Sequence, residues 1–263
     1  MPLTTPSPPV STLPARAATD RRGQHLFIAD LHLTPARPAL TALFLAFLAE
    51  RARGSDALYI LGDLFDAWIG DDDDALPEVR AGLRTLTGAG TPCTLLHGNR
   101  DFLLGWRFAR ATGSRLRRDP CRLRLGGEPV LLMHGDLLCI DDRPYQRFRR
   151  RVRNPLVQRL FLWQPLARRR RIAADYRARS AAAMATKSAG IMDANPTEVL
   201  RRMRQAGVRR LIHGHTHRPA DHPLEINGTP AIRHVLADWH DQRGEVLVYN
   251  DGHWWREAVL PPG

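Results

Sequence analysis

Along this chain, short apolar runs alternate with amphipathic ones, and a polar motif follows many of the apolar runs. Residues 25–29 read as a strand, and 38–53 as a helix with Leu40, Leu43, Phe44, Phe47 and Leu48 on one face. Residues 57–61 form a brief apolar run, the mark of a buried strand, and 76–86 a second helix. Further strands are expected at 94–97, 130–133, 210–212, 234–237, 245–249 and 254–259, the last three punctuated by Gly, Asp and Asn. This alternation predicts an α/β sandwich, strands in sheets covered by helices. In α/β sheets ligands gather beyond the carboxyl ends of the strands, so polar residues that follow separate strands can converge on one edge.

Residues 145–192 break the alternation. They hold helix-forming runs at 145–153, 156–166 and 173–187 and the large apolar residues Phe148, Leu156, Leu160, Phe161, Leu162 and Trp163. A helical insertion projecting over the site as a lid is expected there. Residues 1–22, rich in Pro, Thr, Ser and Ala, read as a disordered tail, which leaves 23–263 as one domain. The tail lacks the basic start and apolar stretch of a secretory signal. No apolar stretch reaches the roughly 18–20 residues needed to span a bilayer.

Composition adds a charge and a compartment. The net charge is +12, and of the 39 basic residues every one but Lys187 is arginine. Arginines crowd 147–179, a partly apolar region suited to nucleic acid, anionic lipid or a phosphorylated substrate. Cys93, Cys121 and Cys139 are odd in number and in no paired spacing, which fits a reducing cytoplasm. The acidic run 71–74 reads as a solvated loop and helix start.

The chemistry lies in five motifs: Asp30-Leu31-His32, Gly62-Asp63, His97-Gly98-Asn99-Arg100-Asp101, His134-Gly135-Asp136 and His213-Gly214-His215-Thr216-His217. Singly each is weak. Together they supply carboxylates, an amide oxygen and imidazoles from the ends of separate apolar stretches, the ligand inventory of two adjacent divalent ions. Asp30, His32, Asp63 and His217 are expected at a first ion, and Asp63, Asn99, His134 and His215 at a second. Asp63 is the candidate bridge. Sulfur-free N/O ligation suits Mn²⁺, Fe²⁺, Zn²⁺ or Co²⁺. Arg100 is placed for a bidentate bond to phosphate, and Asp101 is expected to orient His32 or His215.

These motifs, in this order over roughly 25–220, resemble the calcineurin-like metallophosphoesterases. The resemblance implies a sandwich of two mixed β-sheets flanked by helices. The longer strings LGDLFDAWIGDDD (61–73), HGNRDFLLG (97–105), HGDLLCIDDRPYQRFR (134–149) and HGHTHRP (213–219) resemble, more narrowly, the UDP-2,3-diacylglucosamine pyrophosphohydrolases of lipid A biosynthesis. That likeness implies two Mn²⁺ ions and attack of water on the α-phosphorus, giving UMP and 2,3-diacylglucosamine 1-phosphate. It implies catalytic roles for Asn99, Arg100 and His215, and substrate contacts at Asn99, Arg100, Asp142, Ser180, Met184, Lys187 and His215. Met184 stands where the family often has asparagine. It further implies a cytoplasmic protein, peripheral on the inner face of a Gram-negative inner membrane and meeting an anionic membrane surface. No nucleic-acid partner is expected, and the chain is expected to be a monomer.

Two other readings remain open at this level. A nuclease or phosphodiesterase acting on soluble nucleotides would use the same ligands but needs an open basic groove, where a lipid enzyme needs an apolar chamber. A basic nucleic-acid or membrane-binding module fits the charge but leaves the ligand set unexplained.

Overall fold

The computed structural model describes residues 21–73, 75–186 and 193–261, without the side chains of 181–186. Its layers follow from the first strand. β1 (His25–Ile28) is buried on both faces: Leu26 and Ile28 enter one apolar cluster, Phe27 and the following Ala29 another. A strand apolar at successive positions needs cover on both sides.

The first cover is helical. The chain runs through α1 (Pro38–Ala46), a π-helical turn (Phe47–Ala52), β2 (Ala57–Ile60), α2 (Pro77–Gly88), β3 (Cys93–Leu96), α3 (Trp106–Thr112) and β4 (Arg115–Arg117). β1 to β4 pair parallel in sequence order. Leu40 and Phe44 of α1, Val79 and Leu83 of α2 and Phe108 of α3 pack with Leu26 and Ile28.

The second cover is another sheet. β5 (Cys121–Leu125) and β6 (Glu128–Met133) are followed by α4 (Arg143–Val152), α5 (Pro155–Leu162), α6 (Leu166–Thr186) and α7 (Pro196–Ala206). Then come β7 (Arg210–His213), β8 (Ala220–Ile226), β9 (Thr229–Val235), β10 (Gly244–Asn250) and β11 (His253–Val259). A six-stranded sheet has the order β11-β10-β1-β2-β3-β4, and a five-stranded sheet β5-β6-β7-β9-β8. Both are mixed. Val130, Leu132 and Ile212 meet Phe27 and Ala29 between the sheets, while Leu131, Met133 and Leu211 pack outward on Val199 and Met203 of α7. The expected sandwich of two mixed sheets flanked by helices is thereby observed.

Differences from the sequence reading have local causes. Residues 38–53 are not one α-helix, since the last turns are π-helical. β4 and β5 carry arginine at alternate positions on an exposed face, which hides their strand character. The strand expected at 234–237 is the end of β9, and β8, α3 and α7 were not expected. Where an insertion is expected over 145–192, α4, α5 and α6 cover 143–186. Of the expected tail, residues 1–20 lie outside the described residues.

The acidic run corrects a further expectation. Residues 71–73 form a loop, with Asp72 exposed, but it is tied down rather than merely solvated. Asp71 accepts hydrogen bonds from Trp68 Nε1 (3.1 Å) and from the amides of Gly105 and Phe108 (2.9 Å each), tying the loop to the start of α3. Asp72 and Asp73 receive α6. Arg169, only 2% exposed, donates to the Ile69 carbonyl (2.5 Å) and to both oxygens of Asp72. Arg170 donates to Asp73 at 2.7 Å, and two turns on Arg177 pairs with Asp66. Arginines 169, 170 and 177 therefore fasten α6 to the loop after β2.

Replacing Arg169 with Ala removes charge-assisted bonds to Asp72 and to a buried carbonyl. A loss of roughly 2 kcal/mol in urea unfolding is expected, since hydrogen bonds to charged groups contribute about 1.5–3 kcal/mol each. The exposed Arg168→Ala should unfold like the parent.

Candidate dimetal site and adjoining chamber

The motifs converge because the strands that precede them are parallel. Asp30 and His32 follow β1, Asp63 follows β2, Asn99 and Arg100 follow β3, His134 follows β6, and His215 and His217 follow β7. Beyond the strand ends the pairing continues: the Asp30 amide donates to the Gly62 carbonyl (3.2 Å), that of His32 to the Asp63 carbonyl (2.9 Å), and that of Gly214 to the His134 carbonyl (2.8 Å). The loops are thus fixed to one another by backbone bonds.

The backbone is also strained here. Among the described residues seven non-glycine residues have positive φ, and five of them are Asp30, His32, Asp63, His215 and His217, at 50° to 70°. Each costs on the order of 1 kcal/mol or more, a conformation kept where side chains must be aimed at one point. Glycines make the room. A Cβ on Gly98 would strike the carboxylate and amide of Asp63, and one on Gly214 the carboxylate of Asp30.

The ligand atoms lie close together. One group is Asp30, His32 and His217, another Asp30, Asp63 and His134, with candidate atoms within 4.8 Å of one another in each. His32 Nε2 and His217 Nε2 are 3.4 Å apart, and His217 Nε2 is 3.7 Å from Asp30 Oδ1. Asp63 Oδ2 is 3.9 Å from His32 Nδ1 and 3.7 Å from His134 Nε2, between the two groups. Asn99 Oδ1 is 2.9 Å from His134 Nε2. His215 stands beside these groups: its amide donates to Asp30 Oδ2 (2.7 Å), and its ring lies edge-on to His134 with centroids 4.9 Å apart.

Charge at the site calls for cations. Asp30 and Asp63 are buried, and Asp30 Oδ1 and His32 Nδ1 are buried without a hydrogen-bond partner. Burial, reinforced by Asp101 and Asp30, pushes the Asp63 carboxyl up to about 7. Burial alone would raise Asp30 too, but His217, His134 and His32 outweigh it and hold that carboxyl far below its ordinary value. At His134 burial opposes the charge, yet Asp63, Asp30, Asp136 and Asp119 prevail and raise it to about 9. Its Nδ1 faces the Leu61 carbonyl at 2.9 Å and its Nε2 the Asn99 oxygen, so a proton does there what a cation would do better. Burial lowers His32 to about 3 and, with His134 nearby, His215 to about 4, so both are neutral imidazoles fit to donate a lone pair. The donor set fits two divalent ions.

Several supports were not legible in the motifs. Contrary to expectation, among the described residues Asp101 bonds to no histidine: its carboxylate accepts from the amides of Gly98 (2.8 Å), Leu64 (2.9 Å) and Asp63 (3.3 Å), and so shapes the turn that aims Asp63. Asp238 Oδ2 lies 3.4 Å from His217 Nδ1. Beneath His134, the buried Asp136 accepts from Tyr145 Oη and Arg149 Nε, each at 2.6 Å, which ties α4 to the loop after β6. Asp136 stood in a quoted motif, but its partners lie 9 and 13 residues on, across a helix start.

Next to the site lies an apolar chamber with a cavity volume of about 180 Å³. Asn99 and Arg100 form part of its wall, with Trp68, Ile69, Phe102 and Leu103 from the loops, Phe148 and Val152 from α4, Val157 and Phe161 from α5, and Ile172 and Tyr176 from α6. Phe148 stacks on Tyr176 at 4.4 Å. Of the expected substrate contacts, Asp142 is buried and caps α4 by accepting from the Tyr145 amide (3.1 Å), and Ser180 is half-buried on α6. Lys187 and the Met184 side chain lie outside the described residues.

Gly98→Ala should push Asp63 aside. At least a tenfold loss of turnover is expected, with less than the parent's metal per chain by elemental analysis. Gly88→Ala, where a Cβ meets open space, should change neither.

The amino-acid sequence is similar to those of known proteins. The family model described as calcineurin-like phosphoesterase matches residues 25–219. A UDP-2,3-diacylglucosamine hydrolase of Salmonella arizonae is 55% identical over 228 residues, 86% of this chain and 95% of its own. That of Klebsiella pneumoniae subsp. pneumoniae is 54% identical over the same share of both chains. The chain belongs to the calcineurin-like phosphoesterase family, and within it to the group of the UDP-2,3-diacylglucosamine hydrolases.

Proposed function

We propose that this chain hydrolyses the pyrophosphate of UDP-2,3-diacylglucosamine. Water attacks the α-phosphorus, the bond from that phosphorus to the bridging oxygen breaks, and UMP and 2,3-diacylglucosamine 1-phosphate leave. The observation that carries this reading is the apolar chamber whose wall includes Asn99 and Arg100. A nuclease needs an open polar groove, and this cavity is instead lined by aromatic and aliphatic side chains. Each buried CH₂ of an acyl chain contributes about 0.8 kcal/mol, so the chamber favours a diacylated substrate over a soluble nucleotide.

Two Mn²⁺ ions are the proposed cofactor. When bound they supply a nucleophile of lowered pKa and neutralise charge on the phosphoryl oxygens. Asp30, His32, Asp63 and His217 would hold the first, and Asp63, Asn99, His134 and His215 the second, with Asp63 the candidate bridge. Arg100 binds a phosphate oxygen through its guanidinium. His215, a neutral imidazole beside His134, and the Asn99 amide orient the diphosphate. Asp142, Ser180 and Lys187 serve the sugar nucleotide, and Met184 replaces a polar contact with an apolar one. Helices α4 to α6 act as a lid that encloses the acyl chains. The protein works as a monomer, peripheral on the cytoplasmic face of the inner membrane, where arginines of the lid meet anionic headgroups. No described helix is long and apolar enough to cross a membrane. Arg169 and Arg170 are engaged with Asp72 and Asp73, so they are not among the headgroup contacts.

Incubation with UDP-2,3-diacylglucosamine and Mn²⁺, followed by UMP release, tests the reading, and a metal-loaded protein that releases no UMP would refute it. Asp63→Ala should lower turnover by at least about a thousandfold, since both ions lose a shared ligand. Near-normal turnover in a metal-replete assay sinks the bridging role. Lys187→Ala should raise KM with metal content unchanged, and loss of metal would show a structural role instead.

A further inference from the structure

Helix α5 is apolar on two faces. Val157 and Phe161 line the chamber. On the other face Leu156, Leu160 and Trp163 follow at i, i+4 and i+7, and they are 70%, 59% and 70% exposed. No residue of α5 is buried. A stripe of large apolar side chains open to water marks a contact surface.

The charge around the stripe is of one sign. From residue 143 to residue 174 there are 11 arginines and no acidic residue. Arg149, Arg169 and Arg170 are used internally on Asp136, Asp72 and Asp73. Arg150, Arg151, Arg159, Arg168 and Arg171 are exposed, and the Arg159 guanidinium lies over the Trp163 ring at 5.2 Å from its centroid. Leucines and a tryptophan projecting from a field of arginines match the chemistry of an anionic bilayer. The indole and leucines enter the boundary between headgroups and acyl chains, and the guanidiniums stay at the phosphates.

We propose that the outer face of α5, Leu156, Leu160 and Trp163, inserts into the surface of an anionic phospholipid bilayer and seats the chamber against it. This rests on the reading above of a membrane-borne, diacylated substrate and specifies its docking face. Because the same short helix forms chamber wall on one side and bilayer contact on the other, acyl chains pass from lipid to chamber beside α5 with little exposure to water.

The test uses the full chain loaded with Mn²⁺ and vesicles of phosphatidylglycerol or of phosphatidylcholine, with binding read by co-sedimentation and no turnover needed. The parent should bind phosphatidylglycerol vesicles and, at least tenfold more weakly, phosphatidylcholine ones. The combined Leu156→Ser, Leu160→Ser and Trp163→Ser variant should lose binding at least tenfold, with parental metal content and parental hydrolysis of detergent-dispersed substrate. Trp163→Phe should bind as the parent does but lose most of the fluorescence quenching by bromine-labelled lipid. Absence of vesicle binding by the parent, binding by the triple variant within twofold of the parent, or undiminished quenching in Trp163→Phe overturns the proposal. So does a concentration-dependent dimer in sedimentation velocity that the triple variant abolishes, which would make the stripe a contact between copies. Vesicle binding that depends on the stripe, in a protein that releases no UMP, supports the docking face and refutes the substrate reading alone.

Discussion

Two carboxylates buried where parallel strands end are what the rest of this molecule accommodates. Asp30 and Asp63 are almost fully withdrawn from water beside each other. Burying even one charge without compensation costs several kcal/mol. The surroundings answer this with imidazoles from four other positions, with backbone amides such as those of His215 and Arg100 (2.7 Å each), and with room for divalent cations. The left-handed backbone at five of the site residues, and the glycines at 98 and 214, follow from the same demand. Side chains on separate loops must be turned inward at close range, and only these conformations and these missing Cβ atoms permit it.

The helices between β6 and α7 are joined to that site largely through charged side chains. Arg149 and Tyr145 hold Asp136, two residues from His134, and arginines 169, 170 and 177 hold the loop that follows β2. Arg153 adds a bond to the Gly98 carbonyl (2.8 Å) with its guanidinium over Phe102. The chamber therefore has one wall made by the phosphoesterase loops and another made by helices clasped to them. Arg149, Arg153, Arg169, Arg170 and Arg177 are taken up in this docking, so fewer arginines of these helices are left for surface contacts than their sequence suggests.

Specificity and chemistry are separated in space yet meet at Asn99 and Arg100. The dimetal donors are polar, with Asp30, Asp63 and His134 buried and His217 at the open rim. The chamber is apolar and held by packing such as the Phe148–Tyr176 stack. A phosphoanhydride with a lipid on one side matches that division, with its charged centre at the strand ends and its chains among the helices.

The sequence by itself determined the strand–helix alternation and the identity of the clustered ligands. An apolar run followed by Asp, Asn or His is a local pattern, and parallel strands carry such patterns to one edge wherever they lie in the chain. It also held the marks of α7, with Asn195 and Pro196 at the start, Gly207 in the left-handed conformation at the end, and Val199 and Met203 on one face, although periodicity alone passed over them. Strands such as β4 and β5 stayed hidden because arginines occupy their exposed positions, and pairing rather than composition makes them strands. Only the tertiary structure decided the partners of charged residues. Asp101 turned to backbone amides rather than to a histidine, and the acidic run after β2 met arginines roughly a hundred residues away. It likewise divided α5 into a chamber face and an exposed one. Charge pairing and burial depend on what a neighbouring element brings, and no periodicity within one segment encodes that.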